Sequence, residues 1–597
     1  MTTSDKSPPA ASQQMIENLA RIEALSQRLV AALSNKRSPN PALEGPGADL
    51  YLTAGAAMMK EWMDHPSRIL ESQVNYWGQA MKHYLEASQA LAQGQMKPPA
   101  DPGPKDRRFA NPLWDSHPYF NFIKQQYLIS ARALEETVSK IDGLEEKDRR
   151  RVDYFTRQII DMLAPTNFLA TNPDALERAI ETEGASLVKG LENLVRDIEA
   201  NKGDLVVTLS DKEAFQVGGN IGTAEGAVVY RNHLFELIQY SPTTEKVHKT
   251  PLIIFPPWIN KFYILDLKPQ NSLVRWIVDQ GFTLFVVSWK NPDPSYADTG
   301  IDTYIQDGYL TAIDQVKAIT GEPKVNAIGY CIAGTTLSLT LALLDKRRDK
   351  SINSATFFTT LTDFSDQGEF TAFLQDDFVD GIEAQCQADG VLSSYFMTRT
   401  FSYLRSNDLI YQPAIRSYMM GEPPPAFDLL FWNGDSTNLP ARMAVEYLRW
   451  LCQQDRFTGA GVDMMGERLH VSGVKVPLCA IACETDHIAP WIASFNGVAQ
   501  MGSADKTFIL SESGHIAGIV NPPTKDKYGH YTSTAPIENP NEWKGMADHH
   551  KGSWWPRWGA WLAERSGRMV AARKPGGPGH PVLAPAPGTY VVEQVQV

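Results

Sequence analysis

The sequence predicts an α/β protein: a mostly parallel sheet with helices on both faces and an inserted cap, preceded by an all-helical N-terminal domain. Three observations carry this expectation. From about residue 215 onward, apolar β-type runs recur at Leu252–Phe255, Thr283–Ser288, Val325–Ile328, Ala355–Thr360, Leu478–Ala482 and Thr507–Leu510, with helical segments between most of them. Short strands alternating with helices are the pattern of a parallel sheet covered on both faces. Before residue 210 the apolar periodicity is helical. More than 110 residues separate the runs at 355 and 478, too many for a crossover, so this stretch reads as an inserted cap or lid, with a decorative surface insertion as the alternative.

Size and composition agree with two domains. The chain has 597 residues, 43% hydrophobic and 21% charged, a globular composition. Its 56 basic and 69 acidic residues leave a net charge of -13, which opposes non-specific binding to nucleic acid or anionic lipid. Any anionic substrate therefore has to meet a local basic patch. The five cysteines, at 331, 386, 452, 479 and 483, have no paired C-x-x-C spacing, so neither a disulfide framework nor a structural zinc site is expected and a cytoplasmic, reducing compartment fits. No apolar core of a signal peptide follows Met1, and nowhere do about 18 apolar residues run together, so no membrane span is expected.

Taken in order, residues 1–14 are polar and Pro-containing and are expected to be a disordered tail. From Met15 to about Leu33 an amphipathic helix is predicted, followed by a Pro/Gly-rich linker at 38–48. A helical stretch rich in Met58, Met59, Trp62, Met63, Tyr76, Trp77, Met81 and Tyr84 reads either as core or helix-pairing surface or as a binder of a hydrophobic surface. A Pro-rich break at 98–104 precedes further helices up to about Ala200, with a pause at Ala164–Pro173. The expected division is a helical N-terminal domain over 15–210 and a catalytic domain over 211–597, with the cap at about 362–470 and a Pro/Gly-rich tail at about 574–588.

The chemistry centres on Lys324-Val-Asn-Ala-Ile-Gly-Tyr-Cys331-Ile-Ala-Gly334, which runs into a Gly- and Pro-free helical segment. Strand, sharp turn and helix follow one another, and Cys331 occupies the turn. In a G-x-S-x-G elbow the nucleophile sits at such a corner, and small flanking residues let helix and strand pack closely. Here Gly329 and Gly334 supply that room, and a thiol replaces the hydroxyl. Taken alone, Cys331 reads first as an inert buried thiol, and only the rest of the chain turns it into a nucleophile.

The later strands supply an acid and a base. Ile481-Ala-Cys-Glu-Thr-Asp486 places Asp486 just past a strand's carboxyl end, and Ile509-Leu-Ser-Glu-Ser-Gly-His515 does the same for His515. The order Cys331, Asp486, His515 is the nucleophile, acid, base order of the α/β-hydrolase arrangement. His515 would take the thiol proton and Asp486 would orient the imidazole and stabilise its charged form. Glu484 and His487 are rivals that are better explained as shaping the Asp486 loop. For an oxyanion hole, Ile332 follows the nucleophile and offers its backbone N–H. Ile259 offers a second from Pro256-Pro-Trp-Ile-Asn260, whose prolines lack N–H groups and direct the loop.

These residues resemble the polyhydroxyalkanoate synthases, most closely class I. The matching motifs are Pro256 to Leu267, Gly329-Tyr-Cys-Ile-Ala-Gly334, Phe431-Trp-Asn-Gly-Asp-Ser-Thr-Asn438, Asp486-His-Ile-Ala-Pro-Trp491, Ser513 to Pro522 and Gly552-Ser-Trp-Trp-Pro556, with Asp106-Arg-Arg-Phe109 and Ala164 to Pro173 in the helical region. The resemblance implies polymerisation of (R)-3-hydroxyacyl-CoA, with a short-chain preference, release of CoA, and a homodimer acting on the growing polyester chain at a granule surface. No metal or organic cofactor is implied. One departure stands out: the family's elbow is usually Gly-x-Cys-x-Gly-Gly, and here Ala333 takes the first of the last two glycines.

The chemistry implied suits a thiol. Exchange between CoA sulfur and cysteine sulfur keeps the acyl group activated for transfer to an alcohol, while a cap would limit hydrolysis. Two other readings share these residues: a cysteine-dependent thioesterase or lipase-like hydrolase of the same fold, and a non-catalytic granule coat protein that uses the N-terminal helices.

Overall fold

The computed structural model describes residues 13–34, 54, 56–60, 63, 66–92 and 106–594. The expected tail at 1–14 (to residue 12), the linker at 38–48, the break at 98–104 and Trp62 lie outside the described residues. The chain divides into two compact units: one takes in the described residues up to Asp211 together with Phe401–Pro425, the other Lys212–Thr400 and the described residues from Ala426 onward.

In the first unit the described residues up to Asp211 form helices and no strand. The long ones are α1 (Gln13–Ser34), α2 (Pro66–Ala92), α3 (Pro118–Ser139), α4 (Glu146–Met162) and α5 (Ala185–Ala200). Leu25 of α1 packs against Val188 and Val195 of α5, burying the apolar stripe that predicted the helix. Val74, Trp77, Met81, Tyr84 and Leu85 of α2 are each more than half exposed, so core packing does not account for them. Phe401–Pro425 falls within the expected 362–470 insertion yet belongs to this unit. Its backbone crosses α5 at Gly190, where a Cβ would lie 2.0 Å from the Tyr418 carbonyl oxygen. Asn193 donates to the carbonyls of Ser417 and Glu422, both at 3.1 Å, and the Tyr418 hydroxyl donates to buried Asp197 at 2.8 Å.

The second unit is built on one eleven-stranded sheet. In chain order its strands are β1 (Gly226–Arg231), β2 (Phe235–Tyr240), β3 (Leu252–Phe255), β4 (Leu284–Trp289), β5 (Val325–Tyr330), β6 (Ile352–Phe358), β7 (Leu478–Cys483), β8 (Lys506–Ser511), β9 (His530–Thr532), β10 (Asp548–His550) and β11 (Ala584–Pro585). Across the sheet the order is β10-β9-β8-β7-β6-β5-β3-β4-β2-β1-β11. The central strands from β8 to β4 are parallel, and the outer ones join antiparallel. Strands β3, β4, β5 and β7 are buried along their whole length, which is why each is a continuous apolar run rather than an alternation.

Strands β1 and β2 were not among the expected runs. Strand β2 carries Glu236 and Gln239, both fully buried. Besides the Arg231 guanidinium, which pairs with Glu236, their partners come from the Pro/Gly-rich tail and the residues just after it: Thr589 and Tyr590 N–H donate to Glu236 at 2.9 and 3.0 Å, and Gln239 bonds to Lys574 and Gly576. The tail thereby lies along the sheet and supplies β11 at its edge. Among the described residues no helix is long and apolar enough to cross a membrane.

Candidate active site

Strand β5 ends at Tyr330 and α6 (Ile332–Lys346) begins two residues later, leaving Cys331 alone in the corner. Its φ of 55° and ψ of -127° lie where a side chain is costly, a conformation that persists only when the surroundings enforce it. They do so from both sides. The Cys331 N–H continues the ladder to the Phe358 carbonyl at 2.8 Å, while its own carbonyl accepts from Gly334 N–H at 2.9 Å and from the Thr360 hydroxyl at 3.2 Å. A Cβ on Gly329 would sit 2.4 Å from Gly334 Cα, and one on Gly334 would sit 2.0 Å from Thr360 Oγ1. Those two positions have no room for a methyl. Ala333, by contrast, is packed with its methyl in place, and its carbonyl accepts from the Tyr309 hydroxyl at 2.8 Å.

Cys331 is half-buried, while Cys386, Cys452, Cys479 and Cys483 are buried. Burial pushes the Cys386 thiol up to about 12 and raises the other three buried thiols as well. Burial thus disfavours the thiolate, the reactive form, at those four.

The parallel register Cys483↔Ser511 brings the ends of β7 and β8 side by side. Two further bonds, Glu484 N–H to Ser511 O at 2.8 Å and Thr485 N–H to Ser513 O at 3.0 Å, carry that alignment into the loops. Asp486 Oδ2 then lies 2.7 Å from His515 Nδ1, with both residues buried. The other carboxylate oxygen accepts from the N–H groups of Ile488 and Ala489, each at 2.9 Å, which fixes the carboxylate plane. An ionised carboxylate only accepts, so Nδ1 carries the proton and Nε2 is the nitrogen left for other work. The ring of Tyr330, the residue before Cys331, stacks on the His515 imidazole with centroids 6.0 Å apart, which sets the imidazole against the elbow. Burial acts to lower the imidazole pKa, but Asp486, reinforced by Cys331, outweighs it and holds the pKa well above the usual histidine range. The structure therefore brings Cys331, His515 and Asp486 together. Glu484 is engaged elsewhere, by Lys544 at 2.8 Å, and His487 follows Asp486 in the turn that the carboxylate caps.

Ile259 and Ile332, the expected backbone donors, are both 6% exposed. Ile332 opens α6, so its N–H has no acceptor within the helix. The loop bearing Ile259 is held at both ends by indoles: Trp289 Nε1 donates to Pro256 O at 2.8 Å, and Trp432 Nε1 to Lys261 O at 2.7 Å. From the insertion, the Tyr447 ring meets Trp258 edge-on with centroids 5.9 Å apart. Burial, then the sulfurs of Cys452 and Cys331, push the Tyr447 phenol up.

Sequence reasoning missed the support under His515. The Tyr330 hydroxyl donates to the His515 carbonyl at 3.3 Å, and Trp554 and Trp555 donate their indole N–H groups to Gly518 O and Ile519 O at 2.7 and 2.9 Å. Buried indoles normally find a partner, so the run Gly552-Ser-Trp-Trp-Pro556 carried a signal that something polar lies against it.

A parallel sheet with a strained elbow and an acid–histidine pair converging at its carboxyl edge defines an enzyme of the α/β-hydrolase fold. Accordingly, the profile of the alpha/beta hydrolase fold matches residues 251–522, and the profile described as "Poly-beta-hydroxybutyrate polymerase (PhaC) N-terminus" matches residues 105–277. The poly(3-hydroxyalkanoate) polymerase of Methylorubrum extorquens is 40% identical, over 99% of this chain and 99% of its own length. The poly(3-hydroxyalkanoate) polymerase subunit PhaC of Cupriavidus necator is 39% identical over 88% of each chain. Among solved structures, a monoacylglycerol lipase of Paleococcus ferrophilus aligns with 55% of this chain and 99% of its own at 11% identity, with a TM-score of 0.33. This chain belongs to the poly(3-hydroxyalkanoate) polymerase family and is an acyltransferase.

Proposed function

We propose that this enzyme polymerises (R)-3-hydroxyacyl-CoA, short-chain substrates such as 3-hydroxybutyryl-CoA in particular, through an acyl thioester on Cys331. The observation that carries this reading is the convergence of Cys331, His515 and Asp486 at one sheet edge. The raised pKa of His515 supports a resting ion pair in which Nε2 already holds the Cys331 thiol proton, and the thiolate attacks the substrate's thioester carbonyl. The N–H groups of Ile259 and Ile332 receive the developing oxyanion. As the carbon–sulfur bond to CoA breaks, the imidazolium returns its proton to the CoA thiolate, leaving the acyl group on Cys331. In the second half, His515 removes the proton from the 3-hydroxyl of the incoming or growing chain. The alkoxide attacks the acyl-Cys331 carbonyl, the ester bond forms, and the Cys331 thiolate leaves and takes up the proton. The first exchange trades one thioester for another at nearly equal energy, so the activation held in CoA is preserved until the ester is made.

The test is CoA release by Cys331→Ala, which is expected to vanish; an undiminished rate would remove the mechanism. Hydrolysis by the same residues is the second reading, favoured by the fold, and product analysis separates the two, since a hydrolase yields free hydroxy acid instead of polymer. The exposed Val74, Trp77, Met81 and Leu85 of α2 support association with a polyester granule surface. Trp77→Glu combined with Met81→Glu is expected to reduce co-sedimentation with poly(3-hydroxybutyrate) particles. A homodimer completes the proposal on the strength of the family resemblance, and light scattering during turnover checks it.

A further inference from the structure

We infer that Thr437 is a positioning residue of this reaction: its buried hydroxyl fixes the direction in which the Ile259 N–H points. The inference rests on the acyl-Cys331 reading and deepens it.

The loop after β3 has to present an N–H at a defined angle, because a donor stabilises a developing oxyanion only if it is aimed before the charge appears. Pro256 and Pro257 restrict the start of that loop, but the ψ of Trp258 and the φ of Ile259 are not set by any ring. These torsions are instead controlled from the insertion, by Phe431-Trp-Asn-Gly-Asp-Ser-Thr-Asn438. The Thr437 hydroxyl donates to the Trp258 carbonyl at 2.8 Å, and the Thr437 N–H donates to the Ile259 carbonyl at 3.1 Å. Beyond them the Ser436 hydroxyl donates to Asn260 Oδ1 at 3.0 Å, and Lys261 pairs with Asp435 at 2.8 Å. One short segment thus grips successive residues of the loop.

The first of these bonds bears directly on the donor. The Trp258–Ile259 peptide is planar and trans, so its C=O and N–H point in opposite directions. Holding the carbonyl of Trp258 therefore aims the N–H of Ile259, and the second bond, on the far side of Ile259, prevents the residue from rotating between the two planes. Thr437 is 1% exposed and Trp258 2%, so water does not stand in for the hydroxyl if it is removed.

Thr437→Val deletes the hydroxyl with little change of shape. In the full-length enzyme we expect kcat for CoA release to fall about tenfold or more, with KM changed by no more than about twofold, the split that marks an interaction made in the transition state. Thr437→Ser restores the donor and is expected to recover activity to within about threefold. Alkylation of Cys331 by iodoacetamide displaces iodide without forming an oxyanion, so its rate is expected to stay within about twofold in both variants. Should the valine variant not fold, Thr437→Ala takes its place in the same comparison. A kcat above half that of the parent, a serine variant as impaired as valine, or an alkylation rate that falls in parallel with kcat would each overturn the inference. Cys331→Ala run alongside keeps the layers apart. If it is inactive while Thr437→Val is unimpaired, only the role of Thr437 falls; if it still releases CoA, the reading beneath falls.

Discussion

Asp486 divides its carboxylate between two tasks: Oδ2 meets His515 Nδ1 at 2.7 Å, and Oδ1 caps the N–H groups of Ile488 and Ala489 at 2.9 Å. Asp486→Asn leaves an oxygen for the cap but can set an amide N–H against Nδ1, which favours the tautomer with the proton on the wrong nitrogen. CoA release is expected to fall by about 10³-fold or more while the fold is retained, by analogy with other triads. Steady-state kinetics beside circular dichroism check both halves.

The same pair makes stability depend on pH. His515 has its pKa raised in the folded protein, so the stabilisation it contributes is complete below the unfolded value of about 6.5 and is lost as pH rises through the folded value. Asp486→Asn should therefore be destabilised most, relative to the parent, near pH 6, and the gap should close at alkaline pH. Urea midpoints at the two ends of the range test the sign, and a histidine NMR titration should show His515 moving down toward about 6.5 in the variant.

The elbow discriminates among its small residues. Gly334→Ala drives a methyl to within 2.0 Å of Thr360 Oγ1, so activity and folding yield should collapse together. Ala333→Gly only removes a methyl that is already accommodated. It should keep activity within about twofold and cost about 1 kcal/mol through backbone entropy in the helix's first turn. Thermal unfolding and CoA release on both variants provide the comparison.

What local periodicity records depends on where a residue's partners lie in the chain. The central strands were legible because burial on both faces turns them into unbroken apolar runs, and Cys331, Asp486 and His515 were legible because each stands at the end of such a run. Strands β1 and β2 were not, since Glu236 and Gln239 interrupt the pattern for the sake of a tail more than 300 residues away. Likewise the exit of Phe401–Pro425 to the other unit, the grip of Thr437 on the Ile259 loop and the indole bonds of Trp554 and Trp555 are tertiary choices that local periodicity does not record.

The tail itself is a stability element. Glu236, fully buried, accepts from Thr589 and Tyr590 N–H, the Thr589 hydroxyl and the Arg231 guanidinium. Glu236→Gln leaves too few acceptors for these donors, at an expected cost of about 1–3 kcal/mol. Limited proteolysis should then cut near Lys574 before the core unfolds, whereas the parent resists.

The whole reaction turns on whether the sulfur of Cys331 carries the acyl group. Rapid mixing of the enzyme with 3-hydroxybutyryl-CoA, an acid quench and peptide mass mapping should find hydroxyacyl units on the Cys331 peptide, and none on the peptides of the four buried cysteines. CoA release with the Cys331 peptide unmodified at every time point would contradict it.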